Sequence, residues 1–114
     1  MKGILINPFD ETIKEVEVTN DYKDIYVLIE CSTFDVVRIS DEDDMFIDDE
    51  GLLKDNRYFR IAGRNYAGRA LLLSHNEDGD TMGTTFPMED LEHLVDFLPE
   101  GHRETPYMEF KAWS

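Results

Sequence analysis

Acidic side chains are concentrated in one short segment of the chain. Seven of the ten residues from 41 to 50 are carboxylates: Asp41, Glu42, Asp43, Asp44, Asp48, Asp49 and Glu50. Carboxylates at this density can bind a hard cation through several oxygen ligands, imitate a row of nucleic-acid phosphates, or simply form a solvated edge. Their spacing fits no metal loop, so we predict no metal site. The solvated edge and the phosphate mimic remain the two open interpretations.

Phosphate mimicry has a simple geometric basis. Side chains at alternate positions of a strand lie roughly 6.6 Å apart on one face, and DNA carries one phosphate per roughly 3.4 Å along each strand. A sheet face or helix with regularly placed carboxylates can therefore resemble a strand of nucleic acid. Whether these acids share one face depends on the fold.

An acid-free segment follows, from Asn56 to Asn76, and it carries four arginines: Arg57, Arg60, Arg64 and Arg69. The glycines at 63 and 68 have P-loop spacing, but Arg69 and Ala70 replace the lysine and the Ser/Thr that a P-loop requires. The arginines could form a pocket for phosphate or a nucleotide, because a guanidinium matches such anions. The plainer interpretation is that they pair with the acids of 41–55 on neighbouring strands.

No residue set with the geometry of a catalytic centre can be found in the sequence. The three histidines, His75, His93 and His102, are far apart, and none has a companion at metal-ligand or triad spacing. Cys31 lies in a predicted apolar helix, where nothing activates a thiol. We predict that the protein is not an enzyme and uses no cofactor.

The charge balance limits the kind of partner. The 114 residues include 26 acids and 11 bases, a formal net charge of −15. Such a surface repels nucleic acid and anionic membranes and attracts basic proteins.

No apolar run reaches the roughly 18 residues of a membrane span, and the single cysteine is typical of a reducing compartment, so we expect a cytoplasmic protein. The aromatic residues near the C-terminus are compatible with a homodimer contact.

The apolar pattern predicts one α+β domain over residues 1–114. A mixed or antiparallel sheet of about five to seven strands is expected to pack against two helices. Strands are expected from these segments: 3–6, 13–18, 34–39, 45–48, 57–62, 70–74 and 107–113. The first helix is expected to start at Asn20-Asp21 and end near Cys31, and the second to start at Pro87 and stop at Pro99. Gly63 and Gly68 are expected to bound a loop.

Several segments together resemble a domain family of unknown function that is common in bacteriophage, plasmid and other mobile-element proteins. They are Met1-Lys2-Gly3-Ile4-Leu5-Ile6-Asn7-Pro8, Phe34-Asp35-Val36-Val37-Arg38-Ile39, Asp48-Asp49-Glu50-Gly51-Leu52-Leu53, Phe59-Arg60-Ile61-Ala62-Gly63 and Ala67-Gly68-Arg69-Ala70-Leu71. The resemblance covers about residues 1–98 and leaves 99–114 as a C-terminal extension. It implies a small accessory protein and transfers no catalytic residues.

Two functions of different classes follow from these patterns. The first is a non-enzymatic phage-type protein whose acidic surface binds, and inhibits, a basic host protein that itself binds nucleic acid. The second is a small-ligand module in which the four arginines hold a phosphate or nucleotide.

Overall fold

The computed structural model describes residues 1–51 and 56–103. These residues form nine strands and two helices, in the order β1 (Lys2–Asn7), β2 (Thr12–Glu17), α1 (Lys23–Ile29), β3 (Phe34–Arg38), β4 (Asp43–Asp48), β5 (Tyr58–Ile61), β6 (Arg64–Ala67), β7 (Ala70–His75), β8 (Thr81–Met82), α2 (Met88–Leu94) and β9 (Asp96–Phe97). The strand pairs in these residues are antiparallel. The predicted α+β class, with a mixed or antiparallel sheet and two helices, is confirmed, and the sheet is antiparallel.

The main sheet has the order β2-β1-β7-β4-β3, and the short β8 pairs with the end of β7. β7 is central because three consecutive leucines, Leu71, Leu72 and Leu73, are fully buried, which requires apolar cover on both faces of the sheet. Leu72 stands opposite Ile4 of β1 and Met45 of β4. The N-terminal hairpin and the β3–β4 hairpin are thus joined through β7.

Alternation along the strands divides the core into two layers. On one face, Leu71 and Leu73 pack with Phe46 against Ile25 and Ile29 of α1. On the opposite face, a second cluster continues into a three-stranded sheet of order β6-β5-β9 and into α2. Its members include Ile4, Met45, Phe59, Leu72 and Leu91.

The predicted loop between Gly63 and Gly68 is wrong, because residues 64–67 form β6, which pairs with β5. The connecting turn has positive φ at both central residues, Ala62 (φ 52°) and Gly63 (φ 75°). This two-residue geometry matches the right-handed twist of the hairpin strands and favours glycine or asparagine. Ala62 hides the signal, since alanine is not a residue that marks such turns.

The other predicted strands and helices occur with shifted ends. β4 begins at Asp43, two residues before the predicted start. α2 ends at Leu94 instead of continuing to Pro99, and the short strand β9 lies between the helix and this proline. The segments 57–62 and 70–74 form β5 and β7, which lie in different sheets. The predicted strand at 107–113 and the Leu52-Leu53 pair lie outside the described residues.

Candidate functional site

β4 divides the acidic segment into two ends. Asp41 and Glu42 precede the strand, and Asp49 and Glu50 follow it; all four are exposed. Six strand residues span roughly 20 Å at about 3.4 Å each. The seven acids therefore do not form one continuous surface.

Asp43 is partly buried, and its carboxylate is held by three hydroxyl groups. Its Oδ1 accepts hydrogen bonds from Ser74 Oγ at 2.7 Å and from Thr84 Oγ1 at 3.0 Å, and its Oδ2 accepts one from Ser40 Oγ at 2.7 Å. Ser74 and Thr84 are themselves buried. The carboxylate joins the turn before β4, the end of β7 and the segment after β8, so its role is structural.

Two further acids of the segment also point into the structure. Asp44 Oδ2 lies 2.7 Å from His75 Nδ1, and both side chains are more than four-fifths buried. Asp48 is buried and accepts a hydrogen bond from the backbone N–H of Glu50. Of the seven predicted interface acids, four are left to face solvent.

Other acids join Asp41 and Glu42 at their end of the sheet. The backbone N–H of His75 donates to the Glu42 carbonyl at 2.9 Å, which brings the 76–80 turn beside the turn before β4. One surface cleft of about 310 Å³ is lined by Asp41, Glu42 and Glu77, and another of about 340 Å³ by Asp21 and Asp80. We call this surface the acidic end and define it by six exposed residues: Asp21, Asp41, Glu42, Glu77, Asp78 and Asp80.

The 76–80 turn holds its acids in place through Asn76. The Asn76 Oδ1 accepts from the backbone N–H groups of Asp78 at 3.0 Å and Asp80 at 2.9 Å, and the Asn76 N–H donates to the Asp80 carbonyl. This Asx-type turn fixes the backbone while its carboxylates face solvent. The sequence alone shows the turn but gives no sign that it adjoins Asp41.

Asp24 ties the start of α1 to the preceding loop. Its Oδ2 accepts a hydrogen bond from the Thr19 backbone N–H at 2.9 Å. This bond, together with one from the Thr19 side chain, lowers the pKa of the Asp24 carboxyl below its ordinary value. The ionised form is therefore favoured by folding, and its contribution to stability is lost only as the pH falls through the lowered pKa.

The four arginines do not converge on one pocket. Arg69 pairs with Glu30 at 3.0 Å, and its guanidinium carbon lies 4.5 Å from the centre of the Phe9 ring. Arg60 Nε donates to Asn65 Oδ1 at 2.8 Å, and Arg64 is exposed at the β5–β6 hairpin.

Arg57 lies against Glu11 at 3.7 Å and lines an open cleft of about 310 Å³ with Asn56, Glu100 and Arg103. Its Nε atom is buried and has no hydrogen-bond partner within residues 1–51 and 56–103. The ion pairs of Arg57 and Arg69 run to Glu11 and Glu30. We predicted that the arginines pair with the acids of 41–55. For Arg57 and Arg69 this prediction is wrong with respect to residues 41–51. Residues 52–55 lie outside the described residues.

The remaining candidate side chains lie apart from one another. His93 is exposed on α2, the His102 ring lies 5.0 Å from that of Tyr58, and Cys31 packs at the edge of the α1 core. Within 1–51 and 56–103, no three His, Cys, Asp or Glu side chains are arranged to hold a metal ion. Neither helix of these ranges is long and apolar enough to cross a membrane.

These features define an α+β domain with a two-layer core and a carboxylate-rich end. The chain belongs to the family described as Domain of unknown function (DUF3846), which matches residues 1–96. No curated protein and no solved structure matches the chain. The predicted membership in a domain family of unknown function is confirmed.

Proposed function

We propose that the chain is a non-enzymatic accessory protein of a bacteriophage or other mobile element that binds a basic host protein through its acidic end. The partner is a nucleic-acid-binding protein, and occupation of its basic surface inhibits it. The carboxylates then take the place of nucleic-acid phosphates.

The arrangement of the acidic end carries this proposal. Three separate segments contribute its six carboxylates, and none of the six forms an ion pair with a side chain of the described residues. The adjoining elements carry two exposed basic residues, Lys23 and Arg38, against the six acids. The net charge of the acidic end is therefore negative. Uncompensated charge of one sign steers a partner of the opposite sign and raises its association rate.

The test is capture of a partner from host lysate on the tagged protein, with mass spectrometry of the retained proteins. We expect one basic nucleic-acid-binding protein to be retained at about physiological salt, released at several-fold higher salt, and displaced by DNA. Neutralising four acids together (Asp41→Asn, Glu42→Gln, Glu77→Gln and Asp78→Asn) should weaken binding by roughly 30-fold, because each exposed charge contributes roughly 0.5 kcal/mol.

A matched control removes the same charge elsewhere. The acids on α2 and β9 are exposed as well, so the control variant carries Glu89→Gln, Asp90→Asn, Glu92→Gln and Asp96→Asn. It should bind within about twofold of wild type. Equal weakening by both variants, or a complex that survives molar salt, contradicts a specific role for the acidic end.

A second candidate function rests on Arg57, whose Nε atom has no hydrogen-bond partner in the described part of the chain. A buried guanidinium nitrogen without an acceptor is costly, and Arg57 lines an open cleft in which its guanidinium group could bind an anion. In this alternative the arginine-rich segment holds phosphate or a nucleotide, although only Arg57 of the four predicted arginines lines the cleft.

Calorimetric titration with inorganic phosphate and with ATP tests this alternative. Arg57→Gln should abolish the binding heat, whereas Arg64→Gln, at an exposed hairpin position, should leave it unchanged. An absence of heat with the wild-type protein, or heat that persists in Arg57→Gln, removes the ligand module.

A further inference from the structure

A cleft of about 370 Å³ opens on the α1 side of the main sheet. Tyr26 of α1 and Tyr22, which precedes the helix, form one wall, and β3 and β4 form the floor. We call it the aromatic groove and define it by the residues Tyr22, Tyr26, Phe34, Val36, Asp44 and Phe46.

The rings of the groove form a connected set. The Phe34 ring lies 6.3 Å from that of Tyr22, 5.1 Å from that of Tyr26 and 5.3 Å from that of Phe46. Yet 60% of Tyr22, 38% of Tyr26 and 45% of Val36 remain exposed. Such a cluster of exposed apolar side chains is typical of an interaction surface.

One carboxylate lies among these rings. Asp44 of β4 lines the groove, and one of its oxygens contacts His75. A carboxylate accepts several hydrogen bonds, so its second oxygen can take another donor. Aromatic faces beside an anion attract a cationic side chain through both cation–π and charge-assisted contacts.

The floor of the groove ends at an open strand edge. Among residues 1–51 and 56–103, β3 pairs with β4 alone, at the end of the sheet. The Ile39 N–H donates to the Asp43 carbonyl, and the Asp49 N–H donates to the Thr33 carbonyl. Alternate residues of an edge strand bond to the neighbouring strand, so the backbone groups of residues 34, 36 and 38 point away from β4. In agreement, the Val36 N–H donates to the side chain of Asp35 rather than to β4.

The groove also adjoins the acidic end. Tyr22 follows Asp21, and Asp44 follows Glu42 by two residues. A chain leaving the groove in this direction meets carboxylates, so a basic segment gains attraction along its length where a neutral or acidic one does not.

We propose that the aromatic groove and the outer edge of β3 bind an extended basic segment of the partner protein, with one lysine or arginine lying between the tyrosine rings and Asp44. The inference rests on the proposed function, since it names the part of the basic partner that docks. Backbone hydrogen bonds to β3 supply part of the binding, and side chains at alternate positions of the added strand enter the groove and set the specificity.

Selection of random 12-residue peptides displayed on phage tests the groove. We expect the enriched peptides to carry a lysine or arginine flanked by apolar residues at alternate positions. Fluorescence anisotropy with the synthesised peptides then gives Kd. Val36→Lys puts a cation into the groove and should weaken binding by at least about tenfold.

The matched control is Val27→Lys, which adds the same charge on α1 at a residue that is 73% exposed and does not line the groove. It should bind within about twofold of wild type. Tyr22→Ser removes one wall at an exposed position and should weaken binding without unfolding the domain. Selection of no peptides, selection of acidic or uncharged ones, or equal loss in both lysine variants overturns the proposal.

The two proposals can fail separately. If the captured basic protein binds Val36→Lys normally but is lost by the four-acid variant, the groove proposal fails and the proposed function stands. If basic peptides occupy the groove but no basic protein is captured, the proposed function fails alone. A wild-type dimer that Val36→Lys converts to a monomer also overturns the groove proposal, because a second copy would then be its occupant.

Discussion

Replacement of Asp43 by alanine is expected to lower the free energy of unfolding by about 3 kcal/mol, since hydrogen bonds to a charged group contribute roughly 1.5–3 kcal/mol and buried donors left unpaired add a further cost. Asp43 accepts from Ser40, Ser74 and Thr84. Urea unfolding followed by circular dichroism gives the change. Asp41→Ala, in the same turn but exposed, should stay within about 0.5 kcal/mol of wild type.

A double-mutant cycle makes the Asp43 prediction sharper. Once Asp43 is removed, Ser74→Ala should cost little more, so the two effects should fall well short of additivity. Equal stability of Asp43→Ala and Asp41→Ala would show that the hydroxyl cluster contributes nothing. If Asp43→Ala is destabilised as expected, loss of binding in an Asp43 variant reports unfolding rather than a lost contact.

Replacement of Phe59 by alanine is expected to destabilise the protein by about 3–5 kcal/mol, the usual cost of truncating a buried phenylalanine. Phe59 is fully buried, its ring lies 5.6 Å from that of Tyr66, and it pairs across strands with Phe97. It therefore holds the three-stranded sheet to the core under the main sheet. Thermal and urea unfolding measure the loss.

The exposed neighbour of Phe59 provides the comparison. Arg60→Ala removes the hydrogen bond that Arg60 donates to Asn65 and should cost under about 1 kcal/mol. A Phe59→Ala protein as stable as Arg60→Ala would mean that the small sheet does not share a core with the main one.

The fold was predictable where apolar residues alone determine it. The apolar pattern predicted the strand at 70–74 and the helix after Pro87, and both elements are confirmed. β6 was missed because its turn contains Ala62 at positive φ, which no turn signal marks. The separation of β5 from β7 depends on strand pairing, which composition does not encode.

The candidate site was predictable only in part, because register and packing set the partners of a carboxylate. Asp43 stands opposite Ser74, 31 residues away, and no local pattern shows this. Likewise, Glu77 lines a cleft with Asp41 only because β7 pairs with β4. The sequence identified the excess of acid and its sign, whereas the fold decides which acids face solvent.

The central position of β7 also affects synthesis of the chain. β1–β2 and β3–β4 are local hairpins, but the strand that lies between them is residues 70–75. Until this strand leaves the ribosome, β1 and β4 each have an unpaired inner edge, and unpaired edges invite association between chains. Ribosomes that stall or terminate before residue 75 therefore release hairpins without a sheet to join, and such fragments are substrates for chaperones and proteases rather than smaller working domains.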